Sequence, residues 1–270
     1  MLRLNTLFDG YIKASFHVAL MVLCFFEITH FQWSMSSNLR DRVFIFCLAF
    51  LGYNTIKYYP FSKIIMSNAR VYRMILPCGV FGLLFSLYTF FSLSVKAQLL
   101  LFICCVLCIA YAIPIHAKLG NLRSQFGLKI FIVAMCWTLL TAVYPLIDIG
   151  VWNGMHYLFF LERFTLVFIA TLPFEMRDAA MDQKELGTIP QLIGVLKTRW
   201  LGAVLLLFLL GIELFFPKGL LIDSTAFILM GLAYLFALFK VNKASSEIIT
   251  LFWVELIPAL GWLYFVLKTL

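Results

Sequence analysis

"LPFEMRDAAMDQKELGTIPQLIG", Leu172 to Gly194, ends a long apolar run with four acidic residues: Glu175, Asp178, Asp182 and Glu185. Glu175, Asp178 and Asp182 follow an i, i+3, i+7 spacing, which on a helix sets the three carboxylates within about 60° of one another. Gly187 and Pro190 then interrupt the helix, with Thr188 between them. Carboxylates on one face repel unless a cation offsets them. A hard divalent metal is one partner, since Mg²⁺ is held by one or two carboxylates together with phosphate oxygens. A solvated loop with Arg177, Lys184 and Glu185 in mixed-sign pairs is the other reading of the same residues.

The rest of the chain says where this cluster lies. Of its 270 residues, 63% are hydrophobic and 13% charged, about half the charge of an ordinary soluble domain. Apolar runs of bilayer length occur near 14–33, 42–59, 71–92, 94–113, 128–147, 151–174, 199–216, 219–239 and 247–267. The composition therefore predicts an all-α polytopic membrane protein, a bundle of nine transmembrane helices forming a single transmembrane domain over residues 1–270. The first run starts late and carries Glu27 and His30, so it is expected to be a true span and not a cleaved signal. The seven cysteines all fall within predicted spans, none with a histidine at ligand spacing, and the four histidines are scattered. None of these residues is assigned to a metal.

A net charge of +8 would suggest nucleic acid in a soluble protein. Here the charge is divided between two membrane faces, so no nucleic-acid partner is expected. With nine spans, 15 of the 21 basic residues share the face of the N-terminus, five lie on the opposite face, and Arg163 falls within a span. The positive-inside rule makes the first face cytoplasmic and puts the C-terminus outside, with a bacterial inner membrane as the expected location. The acidic stretch is then at the cytoplasmic end of the sixth helix.

Two further loops share that end. Tyr111 to Lys129 reads "YAIPIHAKLGNLRSQFGLK", with Lys118, Arg123 and Lys129 and no acid. It either binds an anion or sets topology. The loop after the second span begins "LGYNTIKYYPFSK", with Asn54 and Lys57 one helical turn apart. From Val43 through Ile147 the chain holds no Asp or Glu, so that stretch offers no carboxylate to a metal. Charges within spans are functional candidates because they are costly in lipid. Glu162 and Arg163 stand about 20 Å along the helix from Glu175, too far to share its metal, so an ion pair with another helix is expected. Asn153, His156 and Glu255 are weaker candidates of the same kind. Phe, Tyr and Trp make up 17% of the chain, and Tyr53, Tyr58 and Tyr111 flank the motif positions.

Together these loops resemble the UbiA superfamily of intramembrane prenyltransferases, nine-helix bundles with polar motifs at the cytoplasmic ends of helices two and six. Glu175-x-x-Asp178-x-x-x-Asp182 followed by Gly187-Thr188-x-Pro190 is similar to the family's second aspartate motif and its T-x-P continuation. Tyr111-x-x-Pro114 with Lys118 and Arg123 is similar to its Y-x-x-P loop. The first motif, N-D-x-x-D, stands here as Asn54-Thr55-Ile56-Lys57-Tyr58, with both aspartates lost. The resemblance implies Mg²⁺-dependent transfer of an isoprenoid group from a prenyl diphosphate to an aromatic or other lipid-pathway acceptor. By that analogy Glu175, Asp178 and Asp182 hold Mg²⁺, and Asp178, Asp182 and Lys118 are catalytic. Asn54, Lys57, Tyr111 and Arg123 bind substrate; by its spacing from Asn54, Lys57 either touches the diphosphate where a metal ion is lost or snorkels as a helix-end lysine. Two other classes stay open: a non-catalytic relative that binds an isoprenoid or lipid phosphate, and a transporter.

Overall fold

The computed structural model describes residues 8, 10–59, 69–114, 122, 125, 127–150, 152–179, 186–215, 224–241 and 249–270. Among them nine helical rods run in chain order: α1 (Phe16–Gln32), α2 (Leu39–Tyr58), α3 (Ala69–Phe90), α4 (Val95–Ala112), α5 (Leu128–Leu146), α6 (Gly154–Asp178), α7 (Val195–Phe215), α8 (Ser224–Lys240) and α9 (Ile257–Thr269). The described residues contain no strand. Six of these segments, the last of them running from Thr250 through α9, are long and apolar enough to cross a bilayer, while α1 and most of α8 are apolar but shorter. Of the nine expected spans, six are met among the described residues by helices with the length and apolarity of a span.

Two polar caps explain why helices start where they do. Asn38 Oδ1 accepts the Asp41 amide at 2.8 Å to open α2. Asn153 Oδ1 accepts the amides of Met155 at 3.0 Å and His156 at 3.4 Å to open α6. His156 stacks on Trp33 and Trp152, so Asn153 and His156 serve a helix start at the end of α6 remote from Asp178.

The apolar faces collect in two main cores. One joins α6, α7, α8 and α9 around Leu166, Ile169, Leu209, Met230 and Leu238, and the other joins α1 to α5 around Phe26, Phe44, Phe50 and Leu101. Close approach depends on small residues. A Cβ at Gly202 of α7 would lie 2.6 Å from Leu238 and 3.1 Å from Leu172, so this position lets α7 seat against both α8 and α6.

Arg163 is completely buried between these cores. Its Nη1 donates to the carbonyls of Phe25 at 2.8 Å and Thr141 at 3.5 Å, its Nη2 to Gln32 Oε1 at 3.4 Å, and its guanidinium lies over the Phe25 and Phe159 rings. The Thr141 carbonyl belongs to a π-helical turn, Leu139–Val143, within α5. Such a turn disrupts the ordinary carbonyl pairing of a helix. Arg163 is therefore held by carbonyls and rings, where the sequence led us to expect an ion pair with a neighbouring helix.

Candidate functional site

The polar motifs meet around one cavity of about 370 Å³. From α6 come Glu175, Arg177 and Asp178, from α2 Tyr53 and Lys57, from α4 Tyr111, from α5 Lys129 and Trp137, and from the segment before α9 Glu255. The rest of its lining is largely apolar and includes Val133, Val167, Phe174 and Val254. A volume of this size suits a small ligand or the head of a larger one.

The acidic face is charge-compensated. Lys129 Nζ lies 3.0 Å from Glu175 Oε1, and the Glu175 side chain is nearly buried at 5% exposure. Arg177 grips Asp178 with two bonds, Nε to Oδ1 at 2.7 Å and Nη2 to Oδ2 at 3.2 Å, while its Nη1 donates to the Thr250 hydroxyl. The mixed-sign pairing anticipated for a solvated loop thus occurs through Arg177, but on the cavity wall. Among the described residues no group of three or more acidic, His or Cys side chains is placed to hold a metal. Glu175 and Asp178 remain hard oxygen donors on one turn of helix, which is the donor type Mg²⁺ takes.

The basic and acidic loops are fastened to each other. The Gly127 amide donates to the Leu186 carbonyl at 3.0 Å, and Gly127 has φ +69, a conformation suited to glycine. Lys129 follows two residues later at the start of α5, which is what directs it towards α6. Beyond the acidic stretch, Thr188 precedes a one-turn helix, Ile189–Ile193, with Pro190 in its first turn where no helical amide bond is lost. Gln191 ties that turn back, accepting the Thr188 amide at 3.0 Å and donating to the Ala179 carbonyl at 3.4 Å.

The residues of the degenerate motif divide. Lys57 lines the cavity and donates to the Lys13 carbonyl at 3.0 Å. Tyr58 donates to the same carbonyl at 2.7 Å, and buried Asn54 donates to the carbonyls of Ala14 at 3.0 Å and Phe50 at 2.8 Å. These three side chains clamp the break before α1, where Ser15 takes a left-handed φ of 61°. Asn54, anticipated as a substrate-binding residue, turns its amide to this backbone, and the cavity wall on α2 is made by Tyr53, Ile56 and Lys57. Tyr111 stands at the cavity as anticipated. Lys118, Arg123 and Asp182 lie outside the described residues.

Four lining residues had a weaker signal in the sequence. Lys129 and Arg177 counted there only as loop charge, Glu255 only as one of several intramembrane acids, and Trp137 drew no notice. Trp137 Nε1 donates to Tyr53 Oη at 2.6 Å, fixing two rings side by side on the wall.

No protein-family model matches the chain, and no curated protein matches it significantly. A solved structure does: a UbiA homolog from Archaeoglobus fulgidus bound to Cd²⁺ superimposes with a TM-score of 0.60, over 96% of this chain and 100% of that one. The chain has the UbiA fold. Sequence identity is 16%, so the likeness is one of architecture. The helical rods anticipated from the apolar runs are those of a UbiA-type, membrane-embedded protein, and Lys57, Tyr111, Glu175 and Asp178 line one cavity within it.

Proposed function

We propose that this protein is a UbiA-like intramembrane prenyltransferase that moves an isoprenoid group from a prenyl diphosphate to an electron-rich, hydrophobic acceptor. The observation that carries this reading is the convergence of Lys57, Tyr111, Lys129, Glu175, Arg177 and Asp178 on one cavity with an apolar, aromatic wall. That combination suits a ligand with an anionic head and a hydrocarbon tail. Loss of diphosphate from an allylic carbon needs charge stabilisation already in place as the bond breaks. Lys57 supplies a fixed ammonium on the α2 side, with Lys118 and Arg123 as further donors from the basic loop. Tyr53, Tyr111 and Trp137 offer ring faces to an allylic cation.

Mg²⁺ is the proposed cofactor. Asp178 and Glu175, with Asp182, would hold it, and when bound it would neutralise the leaving diphosphate. The metal in the UbiA homolog structure supports a cation site in this architecture. Because Lys129 and Arg177 already pair with the carboxylates, diphosphate and metal would enter a site balanced before they arrive: Lys129 and Arg177 would turn to phosphate oxygens while Glu175 and Asp178 would hold Mg²⁺. Asn54 was anticipated to bind substrate. In this reading it acts at one remove, by holding the Lys13–Ala14 segment against α2 beside Lys57.

The same ion pairs favour one alternative, a protein that binds a prenyl or lipid phosphate without turnover, since both described carboxylates are satisfied without metal. Incubation of purified protein with Mg²⁺ and labelled prenyl diphosphates separates the two. Release of inorganic diphosphate with formation of a prenylated lipid is expected; tight retention of unchanged prenyl diphosphate would establish the binding protein instead.

A further inference from the structure

The cavity has a third acid, outside the Glu175–Asp178 turn of α6. The π-helical segment Ile249–Val254 ends just before Glu255, and α9 starts at Ile257 with Pro258 in its first turn. Glu255 therefore stands in the interruption between two helical pieces, on the cavity wall. Its charged neighbours are Lys57 of α2 and Arg177 of α6, and Tyr53 of α2 and Tyr11 face it as titratable groups. No hydrogen bond or ion pair engages its carboxylate among the described residues. Glu175 and Asp178, by contrast, are each held by a cation at 3.0 Å or less. An ionisable group is costly in this apolar setting unless it has a task or a partner, and interruptions of this kind occur often at functional sites.

We propose that Glu255 is the acceptor-side carboxylate: it accepts a hydrogen bond from a hydroxyl of an electron-rich aromatic acceptor lying beside Tyr53 and Trp137, and takes that proton during transfer. This rests on the prenyltransferase reading above and adds to it a residue that engages the acceptor. In the reaction the allylic C1–O bond breaks, its electron pair leaving on diphosphate. A ring carbon of the acceptor gives an electron pair to C1 as the hydroxyl proton passes to Glu255. The resulting ring ketone loses its ring C–H proton to diphosphate and recovers the hydroxyl proton from Glu255. The net products are prenylated phenol and protonated diphosphate. Lys57 lines the same cavity as Glu255, on the wall that would face diphosphate.

A site built around a hydroxyl rejects an analogue that lacks one. The test uses full-length protein in lipid nanodiscs with geranyl diphosphate and Mg²⁺, and compares binding of 1-naphthol and 1-methoxynaphthalene. Wild type is expected to prefer the naphthol on the order of tenfold or more, as for a hydrogen bond to a charged group. Glu255→Gln and Glu255→Ala are expected to lose most of that preference while binding geranyl diphosphate within about threefold of wild type. A wild type with no preference, or a preference unchanged in both variants, overturns the acceptor role. So does loss of geranyl diphosphate binding in both variants, which would make Glu255 a support for Lys57. Failure of wild type to bind geranyl diphosphate at all marks the separate collapse of the prenyltransferase reading, and the inference falls with it.

Discussion

Lys129, at the start of α5, places its ammonium 3.0 Å from the carboxylate of Glu175, in the last turns of α6. The pair joins the basic loop to the acidic motif inside the cavity. Removing one partner of a buried pair leaves the other charge uncompensated, at a cost of about 2–4 kcal/mol when, as here, one partner keeps some solvent contact. Lys129→Ala should therefore lower the melting temperature in detergent by roughly 5–10 °C. Millimolar Mg²⁺ should restore more stability to this variant than to wild type, because the metal then competes with one cation fewer at Glu175. Equal Mg²⁺ responses in a differential scanning experiment would argue against Glu175 as a ligand.

Asp178→Asn and Asp182→Asn should each weaken Mg²⁺-dependent diphosphate binding more than Glu185→Gln. Asp178 lines the cavity, whereas Glu185 falls off the shared face by its helical angle. Isothermal titration with inorganic diphosphate, with and without Mg²⁺, gives the comparison. Equal small losses from all three changes would mean a solvated charge cluster.

Lys57→Ala should reduce diphosphate affinity by about 2–3 kcal/mol, as for truncation of one member of a charge pair. Lys63→Ala should matter less. The complementary change is Thr55→Asp, which returns one carboxylate to α2 and leaves the Tyr58 bond to the Lys13 carbonyl intact. Combined with Tyr58→Asp it restores the whole motif, and the double variant forfeits that bond, so its melting temperature should fall. A second Mg²⁺ bound by either variant, counted by metal analysis, would place α2 against the diphosphate.

Gly202→Val should destabilise the bundle by about 1–3 kcal/mol, because overpacking forces side chains out of their preferred positions. Its Cβ would already press on Leu238 and Leu172. Gly79→Ala, which meets nothing within 4 Å, is the control, and its thermal unfolding should match wild type.

The topology follows from charge. Reporter fusions at Lys243 and Leu270 should read opposite sides, cytoplasmic and external, because nine spans would divide the basic residues 15 to five between the N-terminal face and the other. Two cytoplasmic readings would remove the shared face on which the acidic and basic loops depend.

The sequence by itself determined the apolar, helical character of this protein, the order of its helices and which helix ends carry charge. Those features are local: hydropathy over some twenty residues sets a helix of bilayer length, and an i, i+3, i+7 spacing sets a face wherever the helix lies. Tertiary structure alone decided which face meets which. The rotation and depth of each helix come from packing at places such as Gly202, and from π-helical turns that no periodicity announces. Hence Asn54 and Lys57, neighbours in sequence, part company, one to the Ala14 carbonyl and the other to the cavity. Arg163 was legible as an intramembrane charge, but its carbonyl partners exist only because α1 and α5 converge on α6. Glu255, more than seventy residues beyond the acidic motif, reaches the same cavity because a break in the helix before α9 sets it there.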